Sequence, residues 1–359
     1  MTCSHCSSNT NWTNIIVLLC FHCINIFTCI FDKCFSKMLY ANQTQTLNIT
    51  TLNITAEQRY QGLLERVVFS MLIGMPCCLF LFINGIMLFT LRSKTVFRET
   101  CRYILLYNLL FADTVMLGLS QLLYILSVSR IFPVYPVCGV LIMLTSLTNE
   151  ISPLTLVVMC LERYVAVCYP LRHATIITIR NTAVAIIVVW AFSSLNVLIR
   201  VLLLLKFPFE ELPSLQMTDV CSDIAMFLGP MSDIYDKAYT GFVFVSAGVT
   251  VTCSYIGVMV AARSASTDKA SARKTRNTLL LHLVQLGLSL LSTMHSSIIV
   301  SLSTIPQRIL FVHIRSTFYV FIYILPRCLS SLIYGLRDQT IRPVLMYYLC
   351  CRLKKKIKV

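Results

Sequence analysis

From residue 60 onward, long apolar runs alternate with short polar ones. Seven runs reach the length that a bilayer-crossing helix needs, about 20 residues at 1.5 Å each. They are 67–91, 103–128, 138–162, 182–205, 238–262, 278–303 and 312–335. Lipid offers no partners to backbone N–H and C=O groups, so only helices and closed barrels can cross it. These runs are too long and too continuously apolar for barrel strands. The pattern predicts an all-α membrane protein, a seven-transmembrane helix bundle filling residues 67–335.

The polar segments orient that bundle. Segment 92–102 carries Arg92, Lys94, Arg98 and Arg102, and segment 163–181 carries Arg163, Arg172 and Arg180. Segment 263–277 carries Arg263, Lys269, Arg273, Lys274 and Arg276. The tail carries Arg337, Arg342, Arg352, Lys354, Lys355, Lys356 and Lys358. Together they hold most of the 30 basic residues, and base collects on the cytoplasmic side. Loop 206–237 is acidic instead, with Glu210, Glu211, Asp219, Asp223, Asp233 and Asp236 against two lysines. The N-terminus is therefore expected outside the cell and the C-terminus in the cytoplasm. Glycosylation sequons at Asn11, Asn42, Asn48 and Asn53 all precede the first span, which suits a glycosylated extracellular tail over 38–66.

Composition agrees with the pattern. The chain is 57% hydrophobic and 13% charged, where a soluble domain carries about 25% charge. The net charge of +15 is explained by topology, which removes the case for a nucleic-acid partner. Most of the 17 cysteines lie in apolar runs, where a thiol is a small hydrophobe. Two stand apart: Cys138 opens the third span on the outer side, and Cys221 is the lone cysteine of loop 206–237. The outside is oxidising, so a Cys138–Cys221 disulfide is expected. No metal-ligand spacing is present, and no cofactor is implied.

Polar side chains inside a bilayer are costly, and each asks for a reason. Asn84, Asp113, Arg327 and Ser330 are expected to form an interhelical polar network welding helices 1, 2 and 7. Arg327 and Glu150 have two readings, an internal partner or a ligand contact. His282 and His295 flank helix 6, and Pro326 can kink helix 7. After helix 7, residues 336–359 read as a short amphipathic helix and basic tail, with Cys350 and Cys351 as palmitoylation sites and lysines for anionic lipid.

In order and on the expected faces, several motifs resemble those of the rhodopsin-like (class A) G-protein-coupled receptors. They are Asn84-Gly85 in helix 1, "LLFAD" through Asp113, and Cys138 lying 25 residues before Arg163. Glu162-Arg163-Tyr164, Trp190 and Ser254-Tyr255 follow. Within that superfamily, "MCLERYVAVCYPLRH", "SYI" at 254–256 and "LIYGLRD" at 332–338 resemble the odorant receptors. Ser330-Ser331 stand where the family has the Asn and Pro of its helix 7 signature, which points to a divergent, fish-type branch.

The resemblance implies a plasma-membrane, multi-pass chemosensory receptor and not an enzyme. A small-molecule odorant or other water-soluble ligand would bind in the outer half of the bundle, lined by Thr145, Ser146, Asn149, Glu150, Tyr239, His295 and Tyr323. Glu162, Arg163, Tyr164, Tyr255 and Tyr334 would form the switch that engages a heterotrimeric G protein, the stimulatory olfactory type raising cAMP. Membrane lipid is the remaining partner. The alternatives are a non-olfactory orphan receptor of the same class, then a transporter or channel. Transporters tend to carry internal repeats, and none is visible here. Neither HExxH nor GxSxG occurs, which leaves an intramembrane enzyme without machinery.

Residues 15–31 are apolar too, yet no basic flank or small-residue cleavage site accompanies them. Residues 1–37 read either as a gene-model extension ahead of Met38 or as a weak signal anchor. Mass spectrometry of the mature N-terminus decides: a recovered peptide spanning Lys37–Met38 rules out initiation at Met38.

Overall fold

The computed structural model describes residues 74–129, 131–206, 221–222, 230–265, 283–302, 314, 318–338 and 340–343. The chain divides into two compact units, Met1–Met75 and Pro76–Val359. Only Gly74 and Met75 of the first are described.

Among the described residues, five helices are long and apolar enough to cross a membrane. We label them α1 (Gly74–Ser93), α2 (Cys101–Val128), α3 (Tyr135–Cys168), α4 (Ile179–Leu205) and α5 (Pro230–Ala265). Two further helical stretches are shorter. α6 runs over Leu283–Thr293, breaks at Met294 and resumes over His295–Leu302. α7 opens with a π-helical turn, Tyr319–Ile324, and continues as Leu325–Arg337. Pro326 falls in the first turn of that second part, directly after the π-helical turn.

The distribution of polarity is inverted relative to a water-soluble fold. Val184, Ile187, Val188, Leu195, Leu198 and Leu202 of α4 are exposed, as are Phe242, Val245 and Val249 of α5. Asn84, Asp113, Ser152, Ser193, Gln285 and Arg327 are buried. Apolar outside and polar inside is the arrangement that hydrocarbon solvent selects.

α3 is the spine, touching α2, α4 and α5. Its buried positions Cys138, Ile142, Thr145, Thr148, Ser152, Thr155, Met159 and Glu162 recur every three or four residues. That makes one continuous face along the helix. Asn108 of α2 ties this spine to α4: its Nδ2 donates to Thr155 Oγ1 (2.9 Å) and its Oδ1 accepts from Trp190 Nε1 (2.9 Å). α7 packs on α2.

Several boundaries differ from those expected. α3 does not end at Glu162; it runs on to Cys168. At 34 residues it is about 50 Å long, against a hydrocarbon core of about 30 Å, so its last turns need no apolar sequence. α5 begins at Pro230, eight residues before the expected start, and takes Asp233 and Asp236 out of the loop. α6 is interrupted where one continuous helix was expected. Ser292 and Thr293 turn their hydroxyls onto the carbonyls of Ser289 and Leu290, the local bonding by which such residues bend helices. The amphipathic helix expected after α7, and the tail to residue 359, lie outside the described residues beyond Thr340–Pro343.

Asn108→Ala removes both bonds of the α2–α3–α4 joint: it strands the Trp190 donor and takes away the bond that Thr155 Oγ1 accepts. We expect a loss of about 2–4 kcal/mol and a lower melting temperature for the detergent-solubilised protein. An unchanged melting temperature would mean the joint carries no stability.

Candidate functional site

Three polar clusters border α3, one at its C-terminal end and two at mid-height on different faces. At its C-terminal end, Arg163 Nε lies 3.5 Å from Glu162 Oε2, and His173 Nε2 approaches the other Glu162 oxygen at 3.9 Å. Arg163 Nη2 is buried without a hydrogen-bond partner among the described residues. Arg163 lines a cleft between α3, α5 and α6 together with Met159, Cys160, Ser254, Tyr255 and Leu283. Tyr164 lies against Gly257 of α5, where a Cβ would come within 2.5 Å of the ring, so glycine makes room for it. Tyr334 of α7 is buried, its hydroxyl 3.9 Å from Met159 Sδ. Leu171, on the short turn Pro170–Arg172 after α3, is 97% exposed. Nearby, Asp338 accepts from Tyr103 (3.2 Å) and from the backbone N–H of Thr340 (2.9 Å), joining the start of α2 to the end of α7.

At mid-height, Arg327 Nη1 lies 3.3 Å from Asp113 Oδ1, both side chains fully buried. Asp113 also accepts from Ser152 (2.6 Å) and Ser330 (2.6 Å). Arg327 Nη2 donates to Asn149 Oδ1 (2.6 Å), the Asn149 carbonyl (3.2 Å) and Ser292 Oγ (3.0 Å). The network expected of Asn84, Asp113, Arg327 and Ser330 thus differs in two respects. It extends to α3 and α6, and Asn84, though fully buried, makes no side-chain hydrogen bond among the described residues.

At the same level, on the face of α3 that meets α4 and α5, Glu150 is enclosed. Asn196 Nδ2 of α4 donates to one oxygen and Tyr239 of α5 to the other (3.0 Å). Tyr235 donates to Asn196 Oδ1 (2.9 Å), and Tyr235, Tyr239 and Phe192 stack at about 6 Å spacing. Arg200 bridges α4 to α5 through Asp236 at 2.5 Å. Of the two readings open for Glu150 and Arg327, the structure supplies an internal partner to each. A carboxylate held by two donors in this way is not a bare counter-ion for an amine.

The residues expected to line a ligand chamber fall into groups. Glu150 and Tyr239 bond each other. His295 packs against Tyr323 with ring centroids 5.4 Å apart and planes tilted by 51°, and Tyr323 stacks on Tyr319 at 5.4 Å. Asn149 lies between, bonded to Arg327. Thr145 returns its hydroxyl to Leu141 of its own helix, and Ser146 is half-buried. A disulfide joins Cys138 to Cys221, with Cα atoms 5.7 Å apart. Asn42, Asn48, Asn53, Cys350 and Cys351 lie outside the described residues.

Sequence reasoning passed over Arg200, Asn196, Asp236, Asn108, Gln285 and Ser292. Arg200 had a visible signal, as the lone charge between Arg180 and Lys206 in an apolar helix. The others carry no charge or sat in a segment read as loop.

A seven-helix bundle with such an interior defines a class. The family described as 7 transmembrane receptor (rhodopsin family) matches residues 83–334. Odorant receptor 131-2 of Danio rerio is 35% identical over 287 residues, covering 77% of this chain and 86% of that protein. Olfactory receptor 2A12 of Homo sapiens is 28% identical over 197 residues, covering 54% and 61%. Olfactory receptor 1M1 of Homo sapiens is 22% identical over 231 residues, covering 61% and 70%. The chain belongs to the rhodopsin family of seven-transmembrane receptors, and within it to the odorant receptors of the fish type. It is accordingly a multi-pass plasma-membrane protein and a receptor, not an enzyme.

Glu150→Gln and Tyr239→Phe each break the same buried bond. Their effects on stability should therefore be non-additive, with a coupling of about 1 kcal/mol in a double-mutant cycle read by thermal unfolding. Additive effects would show that the two side chains act independently.

Proposed function

We propose that this odorant receptor couples ligand binding among the Cys138-end halves of α3, α5, α6 and α7 to a heterotrimeric G protein at the Arg163 end. The carrying observation is the state of Arg163. Its neighbour Glu162 is its one carboxylate partner among the described residues, it keeps an unbonded donor, and it lines a cleft bounded by α6. An outward shift of α6 would widen that cleft and release the guanidinium to carbonyls of an inserted helix. Tyr255 shares the cleft, Tyr334 sits behind it, and Tyr164 keys α3 to α5 at Gly257. The fully exposed Leu171 beside them is an apolar side chain suited to a partner's pocket.

The orientation follows the basic segments: Arg163 faces the cytoplasm and the Cys138–Cys221 bond lies outside, where disulfides persist. The domain reading follows with it. Residues 38–66 form the glycosylated extracellular tail, with Asn42, Asn48 and Asn53 as acceptors. Residues 336–359 form a cytoplasmic amphipathic helix and basic tail, palmitoylated at Cys350 and Cys351. The ligand is a small odorant or water-soluble molecule. It contacts His295, Tyr323 and Asn149 more directly than Glu150 or Tyr239, which already satisfy each other. Thr145 and Ser146 contribute from α3. The G protein is the stimulatory olfactory type, and the readout is a rise in cAMP. A ligand acts only by its preference for the active arrangement.

Arg163→Ala should lower the cAMP response to an odorant panel by roughly tenfold or more, the worth of a hydrogen bond to a charged group, while surface expression stays at the wild-type level. A variant that signals as well as wild type removes Arg163 from coupling.

A further inference from the structure

We propose that the Asp113–Arg327 pair is a latch: it holds the bundle in the arrangement described, and activation proceeds by withdrawing Arg327 from Asn149 and Ser292. This rests on the receptor reading above and specifies how its site is regulated.

The guanidinium belongs to α7 and reaches three other helices. It meets α2 at Asp113, α3 at both the carbonyl and the side chain of Asn149, and α6 at Ser292. It is 1% exposed, so no water competes for these bonds. A shift of α6 against α3 or α7 must break bonds to a full charge in a low-dielectric interior, where such bonds are strong. α6 is held a second time through Gln285, whose Nε2 donates to Ser330 (2.7 Å), which in turn donates to Asp113.

Two features make the latch releasable. Asp113 keeps its ion pair with Arg327 Nη1 and the Ser152 and Ser330 hydroxyls, both at 2.6 Å, when Nη2 leaves Asn149 and Ser292, so neither charge is stranded. α6 is broken at Met294, two residues after Ser292. The Leu283–Thr293 segment, which contributes Leu283 to the Arg163 cleft, is thus pinned at its upper end by Arg327 and has a break above the pin. Asn149 and His295 border the chamber assigned to ligand, so an occupant that takes an Asn149 or Ser292 bond acts on the pin itself.

The test uses membranes from cells expressing the full chain, with no ligand added. Ser292→Ala deletes one bond to α6. Arg327→Lys keeps the charge but loses the fork that serves Asn149 and Ser292 together. Ser331→Ala is the control, since Ser331 is buried and bonds its own helix at Cys328. The first readout is alkylation of Cys160, which lines the α3–α5–α6 cleft, by N-ethylmaleimide, followed by mass spectrometry. Ser292→Ala and Arg327→Lys should raise its rate by roughly tenfold, the population shift for one or two lost charge-assisted bonds, and Ser331→Ala should not. An unchanged rate in Ser292→Ala, or an equal rise in Ser331→Ala, overturns the latch; if Arg327→Lys does not fold, Ser292→Ala decides alone. The second readout is nucleotide exchange on added heterotrimeric G proteins. Faster alkylation with no exchange by any form of the chain upholds the latch and counts against the G-protein reading instead.

Discussion

A guanidinium and a carboxylate face each other in the interior of a bundle whose exterior is apolar, and the rest of the structure is arranged around tolerating them. Arg327 and Asp113 cannot be left unpaired away from water, because an uncompensated buried charge destabilises by several kcal/mol. Each therefore recruits hydroxyl, amide and carbonyl partners from α2, α3, α6 and α7. The requirement is the reverse of that in a soluble core. Lipid tails are as apolar as leucine, so apolar burial does little to bring helices together, and polar joints and close packing must do it.

Three joints divide this work along α3. The Glu150–Asn196–Tyr239 cluster, with Arg200–Asp236 beside it, binds α3, α4 and α5. The Asp113–Arg327 network binds α2, α3, α6 and α7. The Asn108–Thr155–Trp190 joint binds α2, α3 and α4. Of these three joints only Asp113–Arg327 includes α6, and α6 also borders the Arg163 cleft. On the proposed latch, a change at the ligand end would reach the Arg163 end through the joint that includes α6, while the other two tie α2 to α5 together.

Much of this was legible in the chain. Span count, the central position of Asp113 and the importance of Arg327 follow from the cost of polarity in lipid, which acts residue by residue and needs no neighbour to be known. Boundaries were less legible. Apolarity marks where hydrocarbon ends, not where a helix does, so α3 was expected to stop at Glu162 and α5 to start at 238, whereas both continue beyond. The break in α6 at Met294 depends on local hydroxyl bonding that a hydropathy pattern does not register.

By itself, the sequence determined that seven apolar segments would cross a bilayer, that their few charges would turn inward, and that Glu162-Arg163-Tyr164 would mark one end of the third. What the tertiary structure alone decided is pairing. Whether Glu150 waits for a ligand or is bound by Asn196 and Tyr239 depends on which faces of α3, α4 and α5 meet. So does the exclusion of Asn84 from the network that holds Arg327. Burial is dictated by each residue's own solvation energy, whereas partnership is dictated by the rotation of one helix against another, which no single segment encodes.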